Sequence, residues 1–185
     1  MTSHAFDDSL VKEREDLEAL VADVVANVFG EEAETIMTAT GTDGAGADGA
    51  AALLVIHDES DDTYLGVQVR VSSALATLLA ARMLACSEPT PEDLLDAVGE
   101  LGNIVGGNVK SLLFTSARLS LPSAALGDVA LPPAREDAAG PTLISADVLG
   151  EPLVLVLVPH VDGVGPVWPP SAGSEAVPEV VEAQS

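Results

Sequence analysis

Residues 91–113 read PEDLLDAVGELGNIVGGNVKSLL, and the pattern inside this stretch decides both the fold and the site. Thr90 is a good N-cap, Pro91 suits the first helical position, and Glu92 and Asp93 complement the positive end of a helix dipole. At about 100° per residue, Leu94, Val98, Leu101, Val105, Val109 and Leu112 fall within an arc of about 80° that must face a core. Asp96, Glu100, Asn103 and Gly107 fall within about 60° of one another on the opposite side, as one exposed stripe. The same helix carries Gly99, Gly102, Gly106 and Gly107. Each costs about 1 kcal/mol against Ala, roughly 3–4 kcal/mol for the set, so their presence needs a reason. Gly99, Gly102 and Gly106 line one flank of the stripe, where missing side chains let another backbone approach: a strand of this protein or a docked partner. Gly107 keeps the stripe low. Asn103 and Asn108 are also poor interior helix formers.

Upstream, apolar residues from Leu10 to Phe29 recur at helical spacing, with Gly30 as the stop. AETIMTAT (33–40) reads as a strand. GTDGAGADGA (41–50) contains Gly44-x-Gly46-x-x-Gly49, but a strand (51–57) follows it where a dinucleotide fingerprint requires a helix, so it reads as a flexible connection. DESDD (58–62) is a solvated turn into YLGVQVRV (64–71), which alternates and predicts a half-buried strand with Gln68 and Arg70 outward. A second helix spans 72–86, with Leu75, Leu78, Leu79, Met83 and Leu84 as its buried stripe and Cys86 as a small core residue. Downstream, strands are expected at 117–122 and 126–131, a loop at 132–141, and a closing hairpin from 142–149 and 153–160. The organisation predicted is a flexible N-terminus (1–9), one domain (10–162) and a Pro/Ala/Glu-rich disordered tail (163–185). The fold class expected is α+β, with helices packed on an antiparallel or mixed sheet.

The segment DAVGELGNIVGGNVKSLL resembles the active helix of the CheX/CheC/FliY chemotaxis phosphatases. That family's motif is Asp or Ser, three residues, Glu, two residues, Asn, then a later Pro. Asp96, Glu100 and Asn103 match it in register, and Pro122 of LSLPSAALG stands for the proline. The order of elements is similar over roughly residues 15–160, and the single copy of the motif is like CheX. The resemblance implies a CheX/CheC-like two-layer domain that docks a phosphorylated CheY-type response regulator and promotes hydrolysis of its aspartyl phosphate. It implies Glu100 and Asn103 as catalytic residues, with Asp96, Gly99 and Gly107 at the docking surface. No cofactor of its own is implied; Mg²⁺ would be held by the response regulator. A homodimer is expected by analogy. The rival class is a non-catalytic receiver-docking or flagellar-switch-like module.

Composition narrows the rest. Net charge is −23, from 30 acidic and 7 basic residues, which argues against nucleic acid and anionic membranes as partners. Aromatics are 3%, too few for base-stacking platforms. Cys86 is the single cysteine, so no internal disulfide forms, in keeping with a reducing compartment. MTSHAFDDSLVKERED has no apolar core of a signal peptide, and no apolar run approaches the ~20 residues of a bilayer span; the expectation is a cytoplasmic protein with no membrane insertion. His4, His57 and His160 lack ligand spacing, so no metal site is expected.

Overall fold

The computed structural model describes residues 13–30, 34–38, 49–127, 129–134, 136 and 138–161. Among these residues three helices, α1 (Arg14–Phe29), α2 (Ser73–Leu84) and α3 (Pro91–Leu113), lie on one face of an antiparallel sheet. The strands are β1 (Glu34–Thr38), β2 (Ala50–Asp58), β3 (Thr63–Val71), β4 (Ala117–Leu119), β5 (Ser123–Leu126), β6 (Thr142–Val148) and β7 (Glu151–Pro159). The sheet runs β1-β6-β7-β3-β2-β4, and β5 continues the β4 position along the same edge of β2. Seven strands thus occupy six positions. The α+β, two-layer reading holds, with the sheet antiparallel in every pairing.

The core between the layers is aliphatic. Leu17, Val21 and Val25 of α1, Leu75 and Leu79 of α2, and Val98, Leu101, Val105 and Val109 of α3 meet Leu54, Ile56, Val67, Val69, Leu155 and Leu157. α3 sits centrally: it touches α1, α2 and the strands β2, β3, β4 and β5. Its solvent side is therefore presented at the middle of the helical layer.

Several sequence expectations shift. β3 is covered on both faces, not half-buried: Gln68 is fully buried, and its amide donates to the Val129 and Ala130 carbonyls at 3.4 Å each. Arg70 donates to the Gln68 side-chain oxygen at 2.7 Å and to the Val129 carbonyl at 2.7 Å. The segment 129–134 therefore lies across the second face, and the strand expected at 126–131 forms earlier, as β5 at Ser123–Leu126. There Leu131 joins Leu143, Val154, Val156 and Val158 in a smaller apolar cluster. Close approach explains Gly66: a Cβ there would stand 2.9 Å from Pro132 Cγ. α2 ends at Leu84, because Ala85 turns left-handed and donates to the Ala81 carbonyl. Met83 and Leu84 are consequently exposed, and Cys86 is half-buried outside the core. The glycine-rich run 39–48, the N-terminal segment and the tail from 162 lie outside the described residues.

Candidate functional site

α3 spans Pro91–Leu113, matching its sequence reading at both ends. Its first turn is closed by a capping box: Asp93 N–H donates to the Thr90 hydroxyl, and the Thr90 backbone N–H donates to the Asp93 carboxylate at 2.7 Å. The Thr90 backbone N–H first, and second the Thr90 hydroxyl, which donates to the same carboxylate at 2.8 Å, hold the Asp93 carboxyl below its ordinary range.

The apolar arc is buried as expected, with Leu94 and Leu112 half-exposed at its ends. On the opposite side, Asp96 and Glu100 are exposed, and Asn103 and Gly107 are partly exposed. Asn103 Nδ2 donates to Glu100 Oε2 at 3.3 Å. The structure thus brings Glu100 and Asn103 together on the face open to solvent, one helical turn apart. With the carboxamide nitrogen tied to Glu100, the carboxamide oxygen is the acceptor left for a further hydrogen bond. A Cβ at Gly107 would meet nothing within 4 Å, so the surface beside Asn103 is low and open.

The other glycines answer the question their cost raised. A Cβ at Gly102 would lie 2.7 Å from Ala52 Cβ, and one at Gly106 would lie 2.7 Å from Leu54 Cδ1. Gly99 is buried, with Pro122 Cγ 3.9 Å and Ala124 Cβ 4.0 Å from the position of a Cβ. The backbone that comes close is this protein's own β2–β5 edge. Gly99, expected at a docking surface, is instead buried beside β5 and Pro122, at distances where a Cβ would make ordinary contacts.

Sequence reasoning did not find how Pro122 is held. Ile56 pairs with Leu119 and Leu53 with Ser123, so Ser120, Leu121 and Pro122 stand opposite only Leu54 and Val55. This is a bulge of one extra residue, and a proline is tolerated there because no ladder donor is lost. Ser120 pins it: its N–H donates to the Val55 carbonyl at 2.9 Å, and its hydroxyl accepts from Val55 N–H at 2.9 Å. Pro122 then rests on Gly99 and Gly102, the neighbours in sequence of Glu100 and Asn103. The motif's distant proline is therefore a brace behind the two polar residues.

His57 takes no part, and His4 lies outside the described residues. His57 stacks on Tyr64 at 4.2 Å and pairs with Asp62 at 2.9 Å, at the far end of β2. Burial, with the Asp62 charge adding to it, raises the Tyr64 pKa.

The family model described as chemotaxis phosphatase CheX matches residues 58–135, which include β3, α2, α3, the bulge and β5. Among solved structures, chemotaxis protein CheX from Vibrio vulnificus is 18% identical, with a TM-score of 0.61 over 78% of this chain and 96% of that one. The CheX–CheY–BeF3–Mg²⁺ complex from Borrelia burgdorferi gives 12% identity and a TM-score of 0.61, over 79% and 96%. The FliM middle domain from H. pylori is 7% identical, with a TM-score of 0.58 over 87% and 94%. No curated protein matches the sequence. The fold is that of CheX/CheC-like proteins. The family match lies across the motif helix, so residues 58–135 are similar to CheX in sequence as well as in fold.

Proposed function

We propose that this protein is a phosphatase for a phosphorylated CheY-type response regulator. The observation that carries the reading is the pair Glu100–Asn103, held together on the open face of α3 and joined by a hydrogen bond. The family match over the motif helix supports it, as does the likeness to a CheX whose structure is a complex with CheY.

An aspartyl phosphate is an acyl phosphate, already reactive, and the receiver carries its own Mg²⁺ and Lys. Hydrolysis needs a water held in line with the leaving carboxylate oxygen. The water oxygen bonds to phosphorus, the acyl oxygen–phosphorus bond breaks, and the products are the Asp carboxylate and inorganic phosphate. In such transfers positioning is most of the work, and a neutral carboxamide does it without adding negative charge beside an anionic transition state. The Asn103 oxygen accepts one O–H of that water and aims its lone pair at phosphorus. Glu100 pairs with the receiver's Lys and fixes the docked register, a contact that serves specificity more than affinity. Asp96 lies one turn earlier on the stripe and supports the docking edge, and Gly107 lets the receiver come close. The domain spans roughly 10–162, acts in the cytoplasm, and forms a homodimer in keeping with the resemblance.

The test is decay of phosphate on receivers from the same cell, with Mg²⁺, alone and with this protein. Acceleration by wild type, loss of it in Asn103→Ala, and a raised KM in Glu100→Ala are expected. Binding without acceleration for every receiver would instead indicate the docking module. The 7%-identical FliM likeness carries no weight for that rival beyond fold.

A further inference from the structure

A groove of about 500 Å³ runs between α1 and α3 on the solvent side of the helical layer. Its floor is Leu20, Val24, Ile104 and Leu112; Asp16 and Asp23 stand on its α1 bank, two turns apart. Both are exposed, and neither has a hydrogen bond or ion pair among the described residues. On the α3 bank, Asn108 Nδ2 donates to the Ile104 carbonyl at 2.8 Å and Ser111 Oγ to the Gly107 carbonyl at 2.9 Å. These two side chains are folded back onto their own helix and leave the groove unobstructed. That also gives Asn108, a poor interior helix former, a local role.

The groove is continuous with the motif stripe. Around α3, Gly107 falls between Asn103 on one side and Ile104 and Ser111 on the other, within an arc of about 100°. A side chain at 107 would stand as a wall between them, yet nothing lies within 4 Å of where its Cβ would be. A body seated over Asn103 can therefore reach into the groove across this gap.

We propose that the α1–α3 groove is the second half of the receiver-docking surface and takes a basic side chain of the receiver, its aliphatic stem on the groove floor and its charge between Asp16 and Asp23. This rests on the phosphatase reading above and adds a contact that the motif does not contain. An apolar floor below an acidic bank suits Lys or Arg, whose stems cover apolar surface while their charge stays at the rim. The whole chain is acidic, so charge alone does not single out this place; the floor and the open gap at Gly107 do.

The experiment uses the full chain, with beryllofluoride- and Mg²⁺-treated receivers from the same cell for affinity and phosphorylated receivers for rate. In Asp16→Asn/Asp23→Asn and, separately, in Ser111→Trp, we expect Kd and KM to rise about tenfold while kcat stays within twofold. The double variant should also lose part of the salt dependence of binding. Glu15→Gln/Glu88→Gln, equal in charge change but away from the groove, should match wild type. Unchanged Kd in both groove variants, with wild type active, overturns the groove and leaves the phosphatase reading standing. An equal loss in the Glu15/Glu88 variant reduces the effect to net charge and likewise overturns the groove. Wild type that neither binds nor dephosphorylates any receiver overturns both. Unchanged thermal midpoints of the variants separate these outcomes from misfolding.

Discussion

Two flanks of one helix carry glycine for opposite reasons. On the flank of Gly99, Gly102 and Gly106, the helix packs on this protein's own β2–β5 edge and on Pro122, and at Gly102 and Gly106 a side chain would collide with Ala52 or Leu54. On the side of Gly107 the space is empty. The first flank is explained by the fold alone. The second weakens the helix with no return inside the molecule, and a surface that must admit another protein supplies a reason. Asn103 lies between the two, braced from behind and open in front, and Glu100 stands just past Gly107 on the same open stripe.

Substitutions at the glycines sharpen this contrast. Gly102→Val sets a Cβ against Ala52 Cβ, an atom fixed to the β2 backbone, and adds two methyl groups. Overpacking of this kind costs about 2–3 kcal/mol, to be read as a lower denaturant midpoint at unchanged m-value. Gly107→Ala meets nothing and removes a flexible residue, so the isolated protein should gain about 0.5–1 kcal/mol by the same measurement. A loss of stability at 107 as large as that at 102 would erase the distinction between the flanks.

A smaller effect concerns how α3 is started. Hydrogen bonds from Thr90 lower the pKa of the Asp93 carboxyl below its ordinary value of 3.8. The folded state therefore binds that proton less readily than the unfolded chain does. The stabilisation is fully present above the ordinary Asp range and disappears as pH falls through the lowered folded value. Wild type should exceed Asp93→Asn in thermal midpoint at neutral pH, with the gap closing on acidification. A gap that widened on acidification would contradict the capping box.

α3 was legible from sequence to both ends because every local signal agreed: cap, N1 proline, first-turn acids and a continuous apolar arc. The Asp96–Glu100–Asn103 stripe followed from helical geometry, and recognition then attached a chemistry to it. What escaped depended on distant partners. Gln68 and Arg70 look like solvent-facing residues until the carbonyls of Val129 and Ala130, some sixty residues on, accept their hydrogen bonds. Met83 and Leu84 continue the apolar period past the last turn of α2 that finds a neighbour. The glycine flank left two occupants open, because a sequence does not say which backbone arrives. The bulge at Ser120–Pro122 was hidden for the same reason: it is a mismatch of count between two strands and belongs to neither alone.

The most direct measurement is the decay of receiver phosphate under a saturating excess of Asn103→Ala, with complex formation followed in the same sample. If the carboxamide aligns the hydrolytic water, the complex forms with near wild-type affinity and its phosphate is lost about 100-fold more slowly than in the wild-type complex. Decay in that saturated complex at the wild-type rate would contradict the account and remove Asn103 from the chemistry.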